Sequence, residues 1–187
     1  IESWNRTFSF DKCLWSNNAP IANYAKQEDL FMEVGEPVLD WILSGFNCCV
    51  FAFGQTGSGK TYSMMGNMEG ETEHYGLVPR ICFSLFASIA EIELEKSNNV
   101  ETHVTFSHME IYNESVHDLL TPPRDVKRPV GLRIREHPQK GMFIPDLTIV
   151  RVTSFEEVVS LIAIGDKNRT VAATNVNMHS SRSHAIV

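Results

Sequence analysis

No stretch of this chain approaches the ~18 uninterrupted apolar residues that a membrane-spanning helix needs, so contact with a bilayer is not expected of it. No apolar segment follows Ile1-Glu2-Ser3-Trp4-Asn5-Arg6, and nothing there resembles a signal peptide. An excess of basic charge is missing too. Lys and Arg number 16 against 23 Asp and Glu, for a net charge of -7. A nucleic-acid binder depends on neutralising phosphates, so that class is set aside. Cysteine is scarce: Cys13, Cys48, Cys49 and Cys82 form no CxxC pair and read as reduced core thiols. Of seven histidines, none has metal-ligand spacing supported by cysteines or acids. His179 and His184 lie five apart in a polar loop, which makes a poor zinc site. Internal repeats and low-complexity segments are also lacking.

What is there suits one soluble domain with its own core, since 187 residues carry 43% hydrophobic and 21% charged side chains. The chain does not begin with Met and is expected to be part of something longer. Phe8 to Asp11 reads as a short strand and Ser16 to Pro20 as a loop. Leu30, Phe31, Val34, Val38, Leu39, Ile42 and Leu43 recur at helical spacing between Glu28 and Ser44, with Gly45 as a stop. Pro37 should kink that helix. Cys48 to Phe53 is a continuous apolar run, the pattern of a strand buried on both faces. After it come a glycine loop, a short helix over Tyr62 to Met65, and an insertion over Gly66 to Gly76. Helical spacing resumes after Pro79 at Ile81, Leu85, Phe86, Ile89 and Ile92. Strands are expected over Val100 to Tyr112, Gly131 to Glu136 and Met142 to Val152. Ser154-Phe155-Glu156-Glu157 has the form of a capping box and opens a helix through Val158, Leu161 and Ile162. Ala185-Ile186-Val187 starts another apolar strand. Strands alternating with helices around a glycine loop predict an α/β sandwich.

Gly54-Gln55-Thr56-Gly57-Ser58-Gly59-Lys60-Thr61 matches GxxxxGK[ST] at every specified position. In such a loop, glycines allow backbone N–H groups to converge on phosphates. Lys60 can reach the β- and γ-phosphates, and the Thr61 hydroxyl can ligate Mg²⁺. The pattern predicts a site for a nucleoside triphosphate with magnesium. Hydrolysis also calls for an acid at the end of an apolar strand. Asp146 is a poor candidate because Pro145 precedes it.

Asn177-Met178-His179-Ser180-Ser181-Arg182-Ser183-His184 strongly resembles the switch I signature of kinesin motors. Neighbouring hydroxyls suit magnesium or a water, and an arginine suits a salt bridge of fixed geometry. The resemblance extends along the chain through Phe8-x-Phe10-Asp11, Gly45-Phe46-Asn47 and Phe51 to Gly57. It continues through Tyr62 to Gly66, Met109 to Glu114, Asp118 to Leu120 and Asn168 to Asn175. Leu132 to Pro138 and the Tyr62-x-Met64-Met65-Gly66 ending resemble the third kinesin family, the cargo transporters.

That resemblance implies a P-loop NTPase three-layer sandwich, with a mixed, mostly parallel central sheet flanked by helices. It implies that residues 1–187 are a partial motor domain running from the P-loop through switch I, without the first strand, switch II and neck linker. The implied cofactors are ATP and Mg²⁺. Gly54 to Thr61 would hold the nucleotide and Tyr62 would stack near adenine. Thr61 and Ser181 would serve the metal, Ser180 the attacking water, Arg182 a switch II glutamate, and Asn177 the same catalytic loop. The implied partner is the microtubule, touched by Arg135, His137 and Lys140, with cargo or adaptors bound by other regions. The implied setting is the cytoplasmic cytoskeleton. Myosin resembles this loop less, since Phe-Gly follows its Ser-Ser-Arg where Ser183-His184 stands here. A small-molecule kinase would need a substrate lid, which nothing after the loop suggests. A non-motile nucleotide-binding or tethering protein is the rival from another class. The 187 residues alone are expected to show negligible ATPase activity and poor solubility.

Overall fold

A computed structural model describes residues 7–17, 24–68, 70–95, 101–121, 131–139, 141–176 and 182–187. The chain divides into two compact units, Ile1–Ile81 and Cys82–Val187.

In the first unit, residues 7–17 form no strand, contrary to the reading of Phe8 to Asp11, and Phe8 and Phe10 are exposed. The expected helix is there in three joined pieces: α1 (Gln27–Leu30), a π-helical turn (Phe31–Gly35) and α2 (Glu36–Leu43). Pro37 explains the middle piece. It has no N–H to donate, and the wider turn, with Glu36 N–H reaching Phe31 O, absorbs the mismatch. The helix ends where glycine predicted. Gly45 adopts φ +90°, its N–H reaches Ile42 O at 2.9 Å, and Phe46 N–H reaches Trp41 O at 3.0 Å. This is a Schellman closure, in which two orphan carbonyls are satisfied.

Residues 48–53 form no helix and belong to no ladder among the described residues. Phe51 and Phe53 are 78% and 94% exposed, so the expectation of a strand buried on both faces is not met. A segment becomes a strand only when neighbours take up its N–H and C=O groups, and no described segment does so. The short helix after the glycine loop is α3 (Lys60–Met64). The insertion that follows is closed upon itself. Gly66 bridges Tyr75, and Arg80 donates to the carbonyls of Tyr75 (2.8 Å), Glu73 (3.0 Å) and Thr72 (3.2 Å). Then α4 (Leu77–Glu95) begins, two residues ahead of Pro79.

Among its described residues the second unit holds three small sheets. One pairs β1 (Val104–Phe106) with β6 (Val150–Val152), and another pairs β4 (Arg135–His137) with β5 (Gly141–Phe143). The third places β2 (Met109–Tyr112) between β3 (Ser115–Asp118) and β7 (His184–Ile186). Thus the long strand expected over Val100 to Tyr112 is divided at Ser107-His108, because its halves take different partners. The strand expected over Met142 to Val152 is likewise broken by Pro145 and by Asp146, whose φ is +64°. All described ladders are antiparallel. The mostly parallel sheet is therefore not represented among them, and residues 48–53, expected as one of its buried strands, form no ladder with any described segment. Asn113 and Glu114, with φ of +49° and +62°, make the two-residue turn between β2 and β3.

Helix α5 (Phe155–Val176) starts at Ser154, whose hydroxyl accepts from Glu157 N–H at 3.3 Å. The Glu157 carboxylate accepts from Thr153 N–H at 2.7 Å, one residue earlier than a strict capping box would place it. Val158 and Ile162 of α5 are buried with Phe106, Val116, Leu119 and Val152 to form the core of this unit. Asn168 fastens α5 by donating to Leu119 O at 2.8 Å.

Candidate nucleotide site

The loop from Gly54 to Thr61 lies in the first unit. Two of its glycines are required by conformation: Gly57 and Gly59 have φ of +80° and +90°, the left-handed region that side chains avoid. Alternating backbone hands of this kind turn successive N–H groups toward one side, a concavity suited to an anion. Lys60 folds across the loop and donates to Gly54 O and Gln55 O, both at 2.8 Å. The ammonium is thereby held over the loop, and among the described residues no carboxylate pairs with it. Gln55, Thr56, Ser58 and Thr61 are exposed, and Tyr62 is half-exposed. Amides, an ammonium and hydroxyls form a donor set that fits a triphosphate with its magnesium.

A buried residue that the sequence reading passed over supports this loop. Gln27, at the start of α1, is 5% exposed and donates to Tyr62 O at 2.7 Å. A glutamine at a helix start reads as solvated. Only its burial reveals the tie to α3.

Of the Asn177 to His184 signature, Asn177, Ser180 and Ser181 lie outside the described residues. Arg182 is exposed, Ser183 is partly buried, and His184 opens β7. These belong to the second unit. Ser183 joins two residues that the sequence reading quoted but gave no role. Arg169 Nε meets Glu110 Oε1 at 2.7 Å, Arg169 Nη2 donates to Ser183 Oγ at 3.1 Å, and the Ser183 hydroxyl donates to Glu110 Oε1. A lone acid in Met109-Glu110-Ile111 and a lone arginine within α5 were the available signal.

Close by, His108 is 2% exposed, and its Nδ1 has no hydrogen-bond partner among the described residues. Burial pushes its pKa below the usual histidine range. Asp166 opposes that shift, Arg169 adds to it, and Glu110 and Asp118 oppose it. Asp118 behaves differently. Burial pushes its carboxyl up, but hydrogen bonds from Thr148, Leu120 and Thr121 outweigh this and leave it below its ordinary value. Of the suggested surface residues, Arg135 is exposed on β4, and His137 accepts from Gln139 N–H at 3.1 Å. Lys140 lies outside the described residues.

Across residues 2–187 the chain matches the kinesin motor domain. It belongs to that family. Mouse KIF13A is 46% identical over 182 residues, which cover 97% of this chain and 10% of that protein. Rat KIF1A is 43% identical over the same shares of each chain, and unc-104 of Caenorhabditis elegans is 41% identical over 100% of this chain and 11% of its own. These relatives belong to the third kinesin family, and the chain spans about a tenth of their length. Among solved structures, a fast kinesin superposes with a TM-score of 0.77 at 41% identity, covering 86% of this chain and 43% of its own. A KIF14 dimer with AMP-PNP on a microtubule gives 0.80 at 39% identity, covering 95% and 47%. The fold is therefore the α/β P-loop NTPase fold of kinesin motors, although the described ladders by themselves are antiparallel.

Proposed function

We propose that residues 1–187 are part of a kinesin motor domain that binds MgATP and serves ATP-driven movement along microtubules. The observation that carries this reading is the Gly54 to Thr61 loop, with left-handed Gly57 and Gly59 and with Lys60 laid across it, in a chain of the kinesin family. In the proposed site the loop amides and Lys60 bind the phosphates, Thr61 and Ser181 hold magnesium, and Tyr62 lies against adenine. Asn177, Ser180 and Arg182 orient water and the switch. Magnesium, when bound, offsets phosphate charge during in-line attack by water. The protein's part is positioning and charge stabilisation.

The microtubule reading draws support from the KIF14 motor solved with ADP on a microtubule, 40% identical to this chain. Exposed Arg135 on the β4–β5 hairpin, with His137 and Lys140, is the proposed contact for acidic tubulin. The working location is the microtubule cytoskeleton of the cytoplasm, with cargo or adaptors engaged elsewhere in the protein.

The test is titration of the 187-residue chain with fluorescent mant-ATP in the presence of Mg²⁺. Binding is expected for the natural chain and its loss for Lys60→Ala. Equal affinity in the two, or no binding by the folded natural chain, would overturn the assignment.

A further inference from the structure

Glu110 sits at the centre of the three-stranded sheet, opposite His117 of β3 and Ala185 of β7. Its side chain is 4% exposed. A carboxylate so removed from water must be compensated by close partners, and it has two. Arg169 belongs to α5, the helix that leads into the Asn177 to His184 signature. Ser183 belongs to the signature itself and directly precedes β7. One oxygen, Glu110 Oε1, accepts from both, and Arg169 Nη2 closes the triangle by donating to Ser183 Oγ at 3.1 Å. The Ser183 hydroxyl is thus used as donor and as acceptor. The ladder pairs Ile111↔His184, Glu110↔Ala185 and Met109↔Ile186 fix the chain immediately after it. A single buried carboxylate therefore ties both flanks of the signature, the helix before it and the strand after it.

We infer that Glu110, through Arg169 and Ser183, is the positioning residue of the Asn177 to His184 signature and sets where Arg182 is presented for nucleotide turnover. The turnover part rests on the ATPase reading. The anchoring part does not. The geometry gives each residue a distinct share. Glu110 supplies the charge that keeps Arg169 in place. Arg169 supplies the planar fork that addresses two oxygens at once, which a lysine would not reproduce. Ser183 transmits the tie to the loop end. Because Arg182 is exposed while Ser183 is partly buried, the bond between them marks where the tie begins.

Trypsin cuts after Arg182, so limited proteolysis of the full 187-residue chain reads the tie directly. Ser183→Ala removes the bridging hydroxyl and leaves the Glu110–Arg169 pair, so the fold should persist. Cleavage after Arg182, relative to cleavage after exposed Arg151, should rise about tenfold as that end opens more often. Ser183→Thr keeps the hydroxyl and should return the rate to within about twofold of the natural chain. Glu110→Gln, which retains an acceptor but not the charge, should fall between them. Affinity for mant-ATP should drop in Ser183→Ala while affinity for mant-ADP holds, whereas general loosening would weaken both. An unchanged cut in Ser183→Ala, or failure of Ser183→Thr to restore it, would overturn the anchor. If no variant binds nucleotide at all, the ATPase reading fails with its turnover consequence, and the cleavage pattern still decides the anchor.

Discussion

Replacing Gly165 by alanine puts two known effects against each other. Gly165 lies inside α5, where alanine is favoured over glycine by about 1 kcal/mol on helix propensity. From propensity alone, Gly165→Ala should stabilise the protein. The packing says otherwise. A Cβ at this position would lie 2.0 Å from His108 Nδ1, 2.7 Å from its Cε1 and 3.0 Å from its Cγ. Ordinary contact between such atoms needs roughly 3.5 to 4 Å, so the ring would have to retreat by more than 1 Å. With 2% exposure His108 has no solvent to retreat into, and α5 is held nearby by Asn168 and Arg169. Overpacking of a tight core costs about 1–3 kcal/mol, and this contact belongs at the upper end. The net expectation is destabilisation of about 1–2 kcal/mol. At this chain length that lowers the melting temperature by about 2–4 °C per kcal/mol. Thermal melting followed by circular dichroism would measure it. The decisive comparison repeats the change in a His108→Ala background. With the ring gone the clash disappears and the propensity gain remains, so the same substitution should now raise the melting temperature. A rise in the natural background, or a further loss in the His108→Ala background, would refute the reasoning.

Acid should weaken the second unit through the same histidine. Its pKa is lowered in the folded state, so below pH ~6.5 the unfolded chain binds a proton that the folded chain resists. Stability should be level above pH ~6.5 and fall as the pH drops toward the lowered folded value. Urea titrations at several pH values should show this, and His108→Leu should flatten that part of the profile. In the first unit, Gln27→Leu removes the buried donor to Tyr62 O and should cost about 1–3 kcal/mol. It should also weaken mant-ATP binding by loosening α3, and unchanged affinity would separate Gln27 from the loop.

Local chemistry was the part of this protein readable without coordinates. The order of residues in Gly54 to Thr61 demands backbone hands that only glycine adopts easily, and Gly57 and Gly59 have them. Ser154 before an apolar helix and Gly45 after one are likewise short-range instructions, because a cap is satisfied by residues three to five positions away. Family membership was legible for the same reason, carried by contiguous signatures. Pairing was not. The run Cys48 to Phe53 has the composition of a buried strand, but a strand needs partners, and none of the described segments forms a ladder with it. The division of Val100 to Tyr112 into two strands came from a change of partners that no periodicity encodes. Residues 110, 169 and 183 are separated by 59 and 14 positions, and the tertiary structure alone puts them within hydrogen-bond reach. Each reads in sequence as an ordinary polar residue. Desolvation turns the acid and the arginine into an obligate pair, and the serine between them gives that pair its hold on the loop end.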